Sequence, residues 1–356
     1  MRIKKLKKLL KENGHFPYLI TDLNNIKYLT GYAGSNAYLI IDEKESFIIS
    51  DSRYEEYIKK LLTRGVRFYL QEGSAAGAIK GCLDIISNKE IFVESHNITL
   101  SLYAELKKTL KKIKIIPVTE DPVSILRSVK DEGEISLLRE ACAITDRCFT
   151  HLLQYIKPGV SEWDIAVEID YYYKKNGCTA CSFDPIVASG AGASMPHYKP
   201  SEDKKISKGD ILLIDMGCLY KGYNSDLTRT IFVDSVDSTL GDIYNIVYEA
   251  QKKAVSSVKP GIDTCKLDSI ARTVISDYGY GENFGHGLGH GVGIEIHELP
   301  AIKKFTSAII KKNMVITIEP GIYIPGKGGV RIEDTVLVTS GGCEILTKSS
   351  KELIVI

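Results

Sequence analysis

Apolar residues in the first third of the chain fall in short blocks separated by polar turns. YLI at 18–20, AYLIID at 37–42 and SFIIS at 46–50 each have the length and boundaries of a strand. IFVE at 91–94 and KIIPV at 114–118 repeat the pattern, with helical spacing around 53–63 and 101–112. The opening MRIKKLKKLLKENG carries a lysine every two or three residues and lacks the apolar centre of a leader peptide. It reads as an amphipathic helix ending near Gly14. Together these blocks predict an α/β domain of roughly 120 residues. Gly31, Gly34, Ser35 and Asn36 form one turn-rich loop with no phosphate-loop spacing. TEDPVS at 119–124 reads as a linker interrupted by Pro122, so the predicted domains are 1–122 and 123–356.

From about residue 125 the periods lengthen. Ile135, Leu138, Cys142, Phe149, Leu152 and Ile156 fall near one face of a helix over 131–156, which stops at Lys157-Pro158-Gly159. A second helix runs from Ser161 to about Asn176, with Ser161 and Asp164 as N-cap and acidic first turn. The same order then recurs. A helix over 241–258 stops at Lys259-Pro260-Gly261, and another over 264–278 ends at Gly279. This half-chain repetition predicts a duplicated α/β unit.

Each half closes on an apolar hairpin that carries two acids. In DILLIDMGCLYKGYNSDLTRTIFV, Asp215 follows the run Ile211–Ile214 and Asp226 opens the return strand. In MVITIEPGIYIPGKGGVRIEDTVLV, Glu319 closes one strand and Glu333 lies in the next. An edge acid facing water would be unremarkable at any one of these places. Two matched pairs are another matter, because four carboxylates converging in an apolar setting need cations to hold them together.

Between the hairpins, NFGHGLGHGVGIEIHELP contains three of the seven histidines, His286, His290 and His297. Glycines at 285, 287, 289, 291 and 293 allow unusual dihedrals and close approach to a ligand. No register fits G-x-G-x-x-G, and no H-E-x-x-H is present in this segment. Oxygen-rich ligation with one imidazole suits a harder divalent ion, Mn²⁺ first, with Co²⁺, Fe²⁺ or Zn²⁺ as further options. Two such ions about 3–4 Å apart would acidify a shared water enough to supply hydroxide near neutral pH, which implies hydrolysis.

Composition narrows the setting. A net charge of +1 offers no field for nucleic acid or an acidic membrane, and no stretch approaches the ~18 apolar residues of a membrane span. The 8 cysteines contain one isolated CxxC, Cys178 and Cys181, and no paired framework; reduced thiols and a cytoplasmic location are expected.

At these residues the chain closely resembles the proline-specific metallopeptidases of the pita-bread fold, the Xaa-Pro aminopeptidases and Xaa-Pro dipeptidases (prolidases). The matching motifs, in the family's order, are IDMG (214–217), SDLTRT (225–230), GHGLGHGVG (285–293), IHELP (296–300), TIEPGIY (317–323) and VRIEDT (330–335). YLTGYAGSNAYLII (28–41) resembles the creatinase-type N-terminal domain of the same family. The resemblance implies an α/β (α+β) fold whose pita-bread domain has pseudo-twofold duplicated halves. It places Asp215, Asp226, His290, Glu319 and Glu333 on the five metal-ligand positions. Asp226 and Glu333 would bridge both ions, and Glu319 would also accept the proton of the attacking water. His297 would stabilise charge on the scissile carbonyl. His197 in MPHY would help accommodate substrate, His286 would line a proline pocket, and Arg331 would orient Glu333 or another acid.

The implied activity is removal of an N-terminal residue from proline in short peptides by metal-bridged hydroxide attack, with a homodimer as the expected assembly. The chain's length inclines the reading towards dipeptides. Competing readings are a methionine-aminopeptidase-like enzyme, a metal-free creatinase-type hydrolase, and a non-catalytic peptide-binding protein on the same fold.

Overall fold

The short apolar blocks at the start of the chain pair into one mixed sheet. A computed structural model describes residues 2–62 and 65–356, and the chain divides into the units Met1–Arg127 and Ser128–Ile356. In the first unit β1 (Tyr18–Ile20), β2 (Tyr38–Ile41), β3 (Ser46–Ser50), β4 (Val66–Leu70), β5 (Glu90–Glu94) and β6 (Lys114–Val118) lie in the order β4-β3-β2-β1-β5-β6. β1–β2 and β2–β3 are antiparallel; β3–β4, β1–β5 and β5–β6 are parallel.

The helices of this unit are α1 (Arg2–Asn13), α2 (Leu23–Thr30), α3 (Glu55–Leu61), α4 (Ala75–Ile86), α5 (Leu100–Thr109) and α6 (Pro122–Ser128). The helix expected over 53–63 splits into a 3₁₀ turn and α3, and its expected end, Thr63, lies outside the described residues, as does Met1. β4 and α4 escape the apolar pattern. AAGAIKGCLDII contains two glycines, which weaken a helix, and burial of Ala76, Ile79, Cys82 and Leu83 against the sheet overrides them. Pro122 does not interrupt structure. It opens α6, where a missing N–H costs nothing.

The second unit begins with α7 (Glu132–Tyr155) and α8 (Glu162–Lys175), and each starts with a capping box, Asp131/Glu134 and Ser161/Asp164. α9 (Ser238–Ser257) and α10 (Thr264–Asp277) are capped by Asp237 and Asp263. α9 begins three residues before its apolar period (241 against 238), because the Asp237 cap sets its start.

The duplication is visible bond by bond. Gly159 donates to Ile206 O and Ile206 back to Val160 O, at 2.9 and 2.8 Å; Gly261 donates to Ile310 O and Ile310 back to Ile262 O, at 2.9 and 3.0 Å. Strands follow in each half. The first supplies β7 (Ala180–Cys181), β8 (Ile186–Ser189), β9 (Ile211–Met216), β10 (Cys218–Tyr220), β11 (Tyr223–Asn224) and β12 (Leu227–Phe232). The second supplies β13 (Gly289–Gly291), β14 (Glu298–Ile302), β15 (Val315–Ile318), β16 (Gly321–Ile324), β17 (Gly328–Arg331), β18 (Asp334–Val338) and β19 (Cys343–Ile345).

Strand alternation sorts side chains between two cores. Leu212, Ile214 and Met216 of β9 join the core under α7 and α8, whereas Ile211 and Leu213 join the one under α9 and α10. Asp215 continues the second series at the strand's end, where the apolar packing stops. Ser161 is 2% exposed, and its Oγ accepts the Asp164 N–H at 3.0 Å. Ser161→Ala is expected to cost about 1 kcal/mol and lower the melting temperature; a calorimetric scan showing no decrease contradicts this role of the cap.

Candidate metal centre

Three of the four acids of the two hairpins stand outside the strand ladders, and Asp215 stands within one. β9 and β12 pair in register, with Asp215 opposite Thr228, and Asp226 stands one residue before β12. The second hairpin is not a single ladder. β15 pairs with β18 and β16 with β17, so Glu319 and Glu333 sit at the breaks rather than within strands. Their freed N–H groups bond elsewhere: Glu319 donates to Leu288 O at 2.8 Å, and Glu333 to Thr228 O at 3.1 Å. One break ties the second hairpin to the histidine segment, and the other ties it to the first hairpin.

Close approach to backbone, not unusual dihedrals, is what Gly287, Gly289 and Gly291 provide in the histidine segment. None of the residues 285, 287, 289, 291 and 293 has positive φ. A Cβ at Gly289 would lie 2.1 Å from Thr317 O, and one at Gly291 2.2 Å from Leu299 O, so the close neighbour is backbone. This intimacy seats β13 between β14 and β15 and carries His290 to the acids.

Ligand-type atoms of Asp226, His290 and Glu333 all lie within 4.8 Å of one another. His290 Nε2 stands 3.6 Å from Asp226 Oδ2 and 3.4 Å from Glu319 Oε1. His290 Nδ1 faces Gly291 O at 3.0 Å, so Nδ1 carries the proton and Nε2 is left as a lone pair. Burial lowers the His290 pKa, which keeps the ring neutral. A lone pair thus faces carboxylate oxygens, acceptor against acceptor, and a cation resolves that conflict. Asp215 Oδ1 adds a further unsatisfied acceptor, buried with no hydrogen-bond partner. Its Oδ2 is held by Arg331 Nη2 at 2.6 Å.

The carboxyl groups report the same strain. Burial, then the charges of Glu333, Asp215 and Glu319, push Asp226 well above its ordinary range. Burial and the charges of Glu319 and Asp215 do the same to Glu333. Burial raises Glu319 to about 7 against the opposing pull of Arg331. The donor set is oxygen-rich with one neutral imidazole nitrogen, and it fits divalent ions.

A chain of hydrogen bonds surrounds these groups. Thr228 Oγ1 donates to Glu333 Oε2 at 2.7 Å and accepts from Arg331 Nε at 3.0 Å. Arg331 Nη1 donates to the Tyr323 hydroxyl at 2.8 Å, and that hydroxyl lies 2.9 Å from His286 Nε2. His286 Nδ1 faces Gly287 O at 2.8 Å, so Tyr323 donates to Nε2 and both ring nitrogens are engaged. Burial, then Arg331, lower His286 to about 4. His297 packs its ring 4.3 Å from that of His290, and burial lowers its pKa. His197 sits exposed, near enough for its charge to oppose protonation of both His286 and His297.

Arg331 therefore contacts Asp215 directly and reaches Glu333 only through Thr228. Thr228, Tyr323 and Thr317 were not singled out from the sequence. Thr317 Oγ1 accepts the His290 N–H at 3.0 Å and donates to Glu319 Oε1 at 3.2 Å. The signal was present: Thr228 and Thr317 stand two residues from Asp226 and Glu319, on the same side of an extended chain.

Residues 136–340 match the description "Metallopeptidase family M24", and residues 2–129 match "Creatinase/Prolidase N-terminal domain". The chain belongs to metallopeptidase family M24. An Xaa-Pro dipeptidase of Pyrococcus horikoshii is 40% identical over 99% of this chain and 98% of its own length. A solved Xaa-Pro dipeptidase from Bacillus anthracis has a TM-score of 0.96 at 39% identity, covering 100% of this chain and 99% of that one. The X-Pro aminopeptidase from Thermotoga maritima has a TM-score of 0.87 at 37% identity, covering 96% and 98%. The M24 chain is accordingly a metallopeptidase with a creatinase-type N-terminal domain and a pita-bread C-terminal domain.

The raised carboxyl pKa values of this M24 centre set a pH dependence. A group whose folded pKa exceeds its unfolded value stabilises the fold fully only below the unfolded value, and that contribution disappears as pH climbs through the folded one. For Glu319 the window runs from 4.5 to about 7. Chelator-treated protein should lose this contribution between pH 5 and pH 8. Added divalent metal should then raise the melting temperature more at pH 8 than at pH 5, because binding requires the deprotonated ligands. A thermal shift that shrinks over that range contradicts the assignment.

Proposed function

We propose that this M24 enzyme hydrolyses the bond between an N-terminal residue and a following proline, with Xaa-Pro dipeptides as its preferred substrates. The observation that carries the reading is the neutral His290 Nε2 facing Asp226 and Glu319, with Glu333 beside it and an unsatisfied Asp215 oxygen nearby. These five residues would hold two divalent ions, Asp226 and Glu333 touching both. When bound, the ions supply Lewis acidity and bring a water's pKa towards neutrality. Mn²⁺ suits the oxygen-rich set best, ahead of Co²⁺, Zn²⁺ or Fe²⁺.

The protein's own groups divide the remaining work. Glu319 takes the proton of the attacking water on its carboxylate and returns it to the departing proline nitrogen. His297 donates to the scissile carbonyl oxygen, where charge develops. Arg331 fixes Asp215 through Oδ2 and leaves Oδ1 free. A bond before proline has no N–H to offer a strand-like binding site, so recognition depends on the ring. His286, with both nitrogens engaged, would line the pocket for the pyrrolidine ring, and His197 would help accommodate the peptide. The similarity to named Xaa-Pro dipeptidases at about 40% identity across the full chain supports the substrate class.

Three finer points complete the proposal. A cytoplasmic setting is supported by eight cysteines without a paired framework. Among the described residues no helix is long and apolar enough to cross a membrane. A homodimer is the expected assembly.

Purified enzyme loaded with Mn²⁺ should release proline from Xaa-Pro dipeptides faster than it trims Xaa-Pro-Yaa tripeptides. Turnover confined to tripeptides makes it an aminopeptidase, as the likeness to the Thermotoga maritima enzyme would allow. Asp226→Ala and Glu333→Ala should each abolish cleavage and metal loading together, measured by mass readout of peptides and elemental analysis. Full activity in either variant removes that residue from the centre.

A further inference from the structure

The segment Phe284–His290 has glycine at every second position, so between its core anchors Phe284 and Leu288 its course depends on what its backbone bonds to. Yet it must place both His286 and His290. Three of its backbone groups are taken by one ion pair on α10. Arg272 Nη1 donates to Phe284 O and Nη2 to His286 O, each at 2.8 Å. Asp268 Oδ1 accepts the Leu288 N–H at 3.1 Å. The two side chains grip each other through Nε–Oδ2 and Nη2–Oδ1, both at 2.9 Å, with side chains only 12% and 1% exposed. The Arg272 guanidinium also lies 4.1 Å from the centre of the Phe284 ring.

A pair spaced four residues apart on a helix ordinarily braces the helix surface and contributes a few tenths of a kcal/mol. Here it is buried, and four of the guanidinium's N–H groups are committed, two of them to carbonyls of another segment. The backbone groups it engages, at 284, 286 and 288, alternate with the glycines at 285, 287 and 289. Beyond Leu288, whose carbonyl receives Glu319 N–H, the next side chain to face the acids is His290.

We infer that Asp268 and Arg272 are positioning residues: their ion pair clamps the glycine-rich segment and thereby sets where His286 and His290 stand. They are no part of the acid and histidine cluster, and they act on the segment through its backbone and the Phe284 ring. The inference rests on the proposed peptidase reading only for the kinetic consequence, not for the clamp itself.

The test compares wild type, Arg272→Gln and Arg272→Lys. Lysine keeps the charge against Asp268, but a point-like ammonium cannot span two carbonyls as the planar fork does. Hydrogen exchange of chelator-treated protein should show residues 284–290 exchanging roughly 10-fold faster or more in both variants, with α9 protection unchanged. Mn²⁺ affinity measured by calorimetric titration should weaken by about 10- to 100-fold, the range typical of groups that orient metal ligands. Dipeptide kcat/KM should fall in step. Unchanged exchange and unchanged Mn²⁺ affinity in both variants overturn the clamp. Full rescue by lysine overturns it too, since charge alone would then suffice, and so does equal loss of protection throughout the unit in the lysine variant. If wild type binds Mn²⁺ but cleaves no Xaa-Pro peptide, the substrate reading fails while the exchange and titration arms still decide the clamp.

Discussion

Four carboxyl groups and a neutral imidazole crowd a half-buried space, and their mutual repulsion is the constraint around which the second unit is organised. Asp226 and Glu333 are 5% and 2% exposed, so neither can shed its charge into water. Burial, together with the charge of neighbouring carboxylates, raises the pKa values of Asp226, Glu319 and Glu333. Such a centre does not assemble by mutual attraction. Packing elsewhere must hold it in place until positive charge arrives.

That holding is distributed over groups that are themselves uncharged or already paired. Thr228 and Thr317 bond to carboxylate oxygens and link them to Arg331 and to the His290 backbone. Behind them Arg229 is 1% exposed and donates to Asp334 Oδ1, Thr228 O, Ser349 O and Ser350 O. Asp334 in turn accepts from Gln251 and Thr347, and it follows Glu333 directly. Apart from Gln251 Oε1, which is buried without a hydrogen-bond partner, these groups are satisfied and fix a geometry at little cost. The arrangement has two parts: neutral and paired groups define position, and acceptors such as Asp215 Oδ1 stay unpaired.

Duplication makes the convergence possible. Each half contributes two helices, a KPG stop, and a hairpin whose acids stand at corresponding places, Asp215 with Glu319 at the end of the first strand. Each half also brackets its own histidine-bearing segment with a buried acid on its second helix. Glu162 of α8 accepts Ser189 N–H, Ser189 Oγ–H and Ser201 N–H, at 2.8, 2.7 and 3.2 Å, on either side of His197. Asp268 of α10 does the comparable service for the segment bearing His286 and His290.

The apolar runs and their periods determined most elements, the repeated helix pairs and the four candidate acids, because strand alternation and helical spacing are local properties; the choice of His290 among three histidines came from the family resemblance. Acids within apolar runs advertised a cation for the same local reason: burying them alone is too costly. What the sequence could not express was partnership across distance. Whether Arg331 serves Asp215 or Glu333 depends on where two hairpins cross, over a separation of 116 residues. The glycines of 285–293 suggested unusual dihedrals and close approach, and the tertiary structure uses Gly289 and Gly291 for backbone contact with β15 and β14. The ion pair on α10 gains its partners only where the fold lays a glycine-rich segment against it. Local chemistry is written in neighbouring residues, whereas burial and choice of partner exist only once distant segments have met.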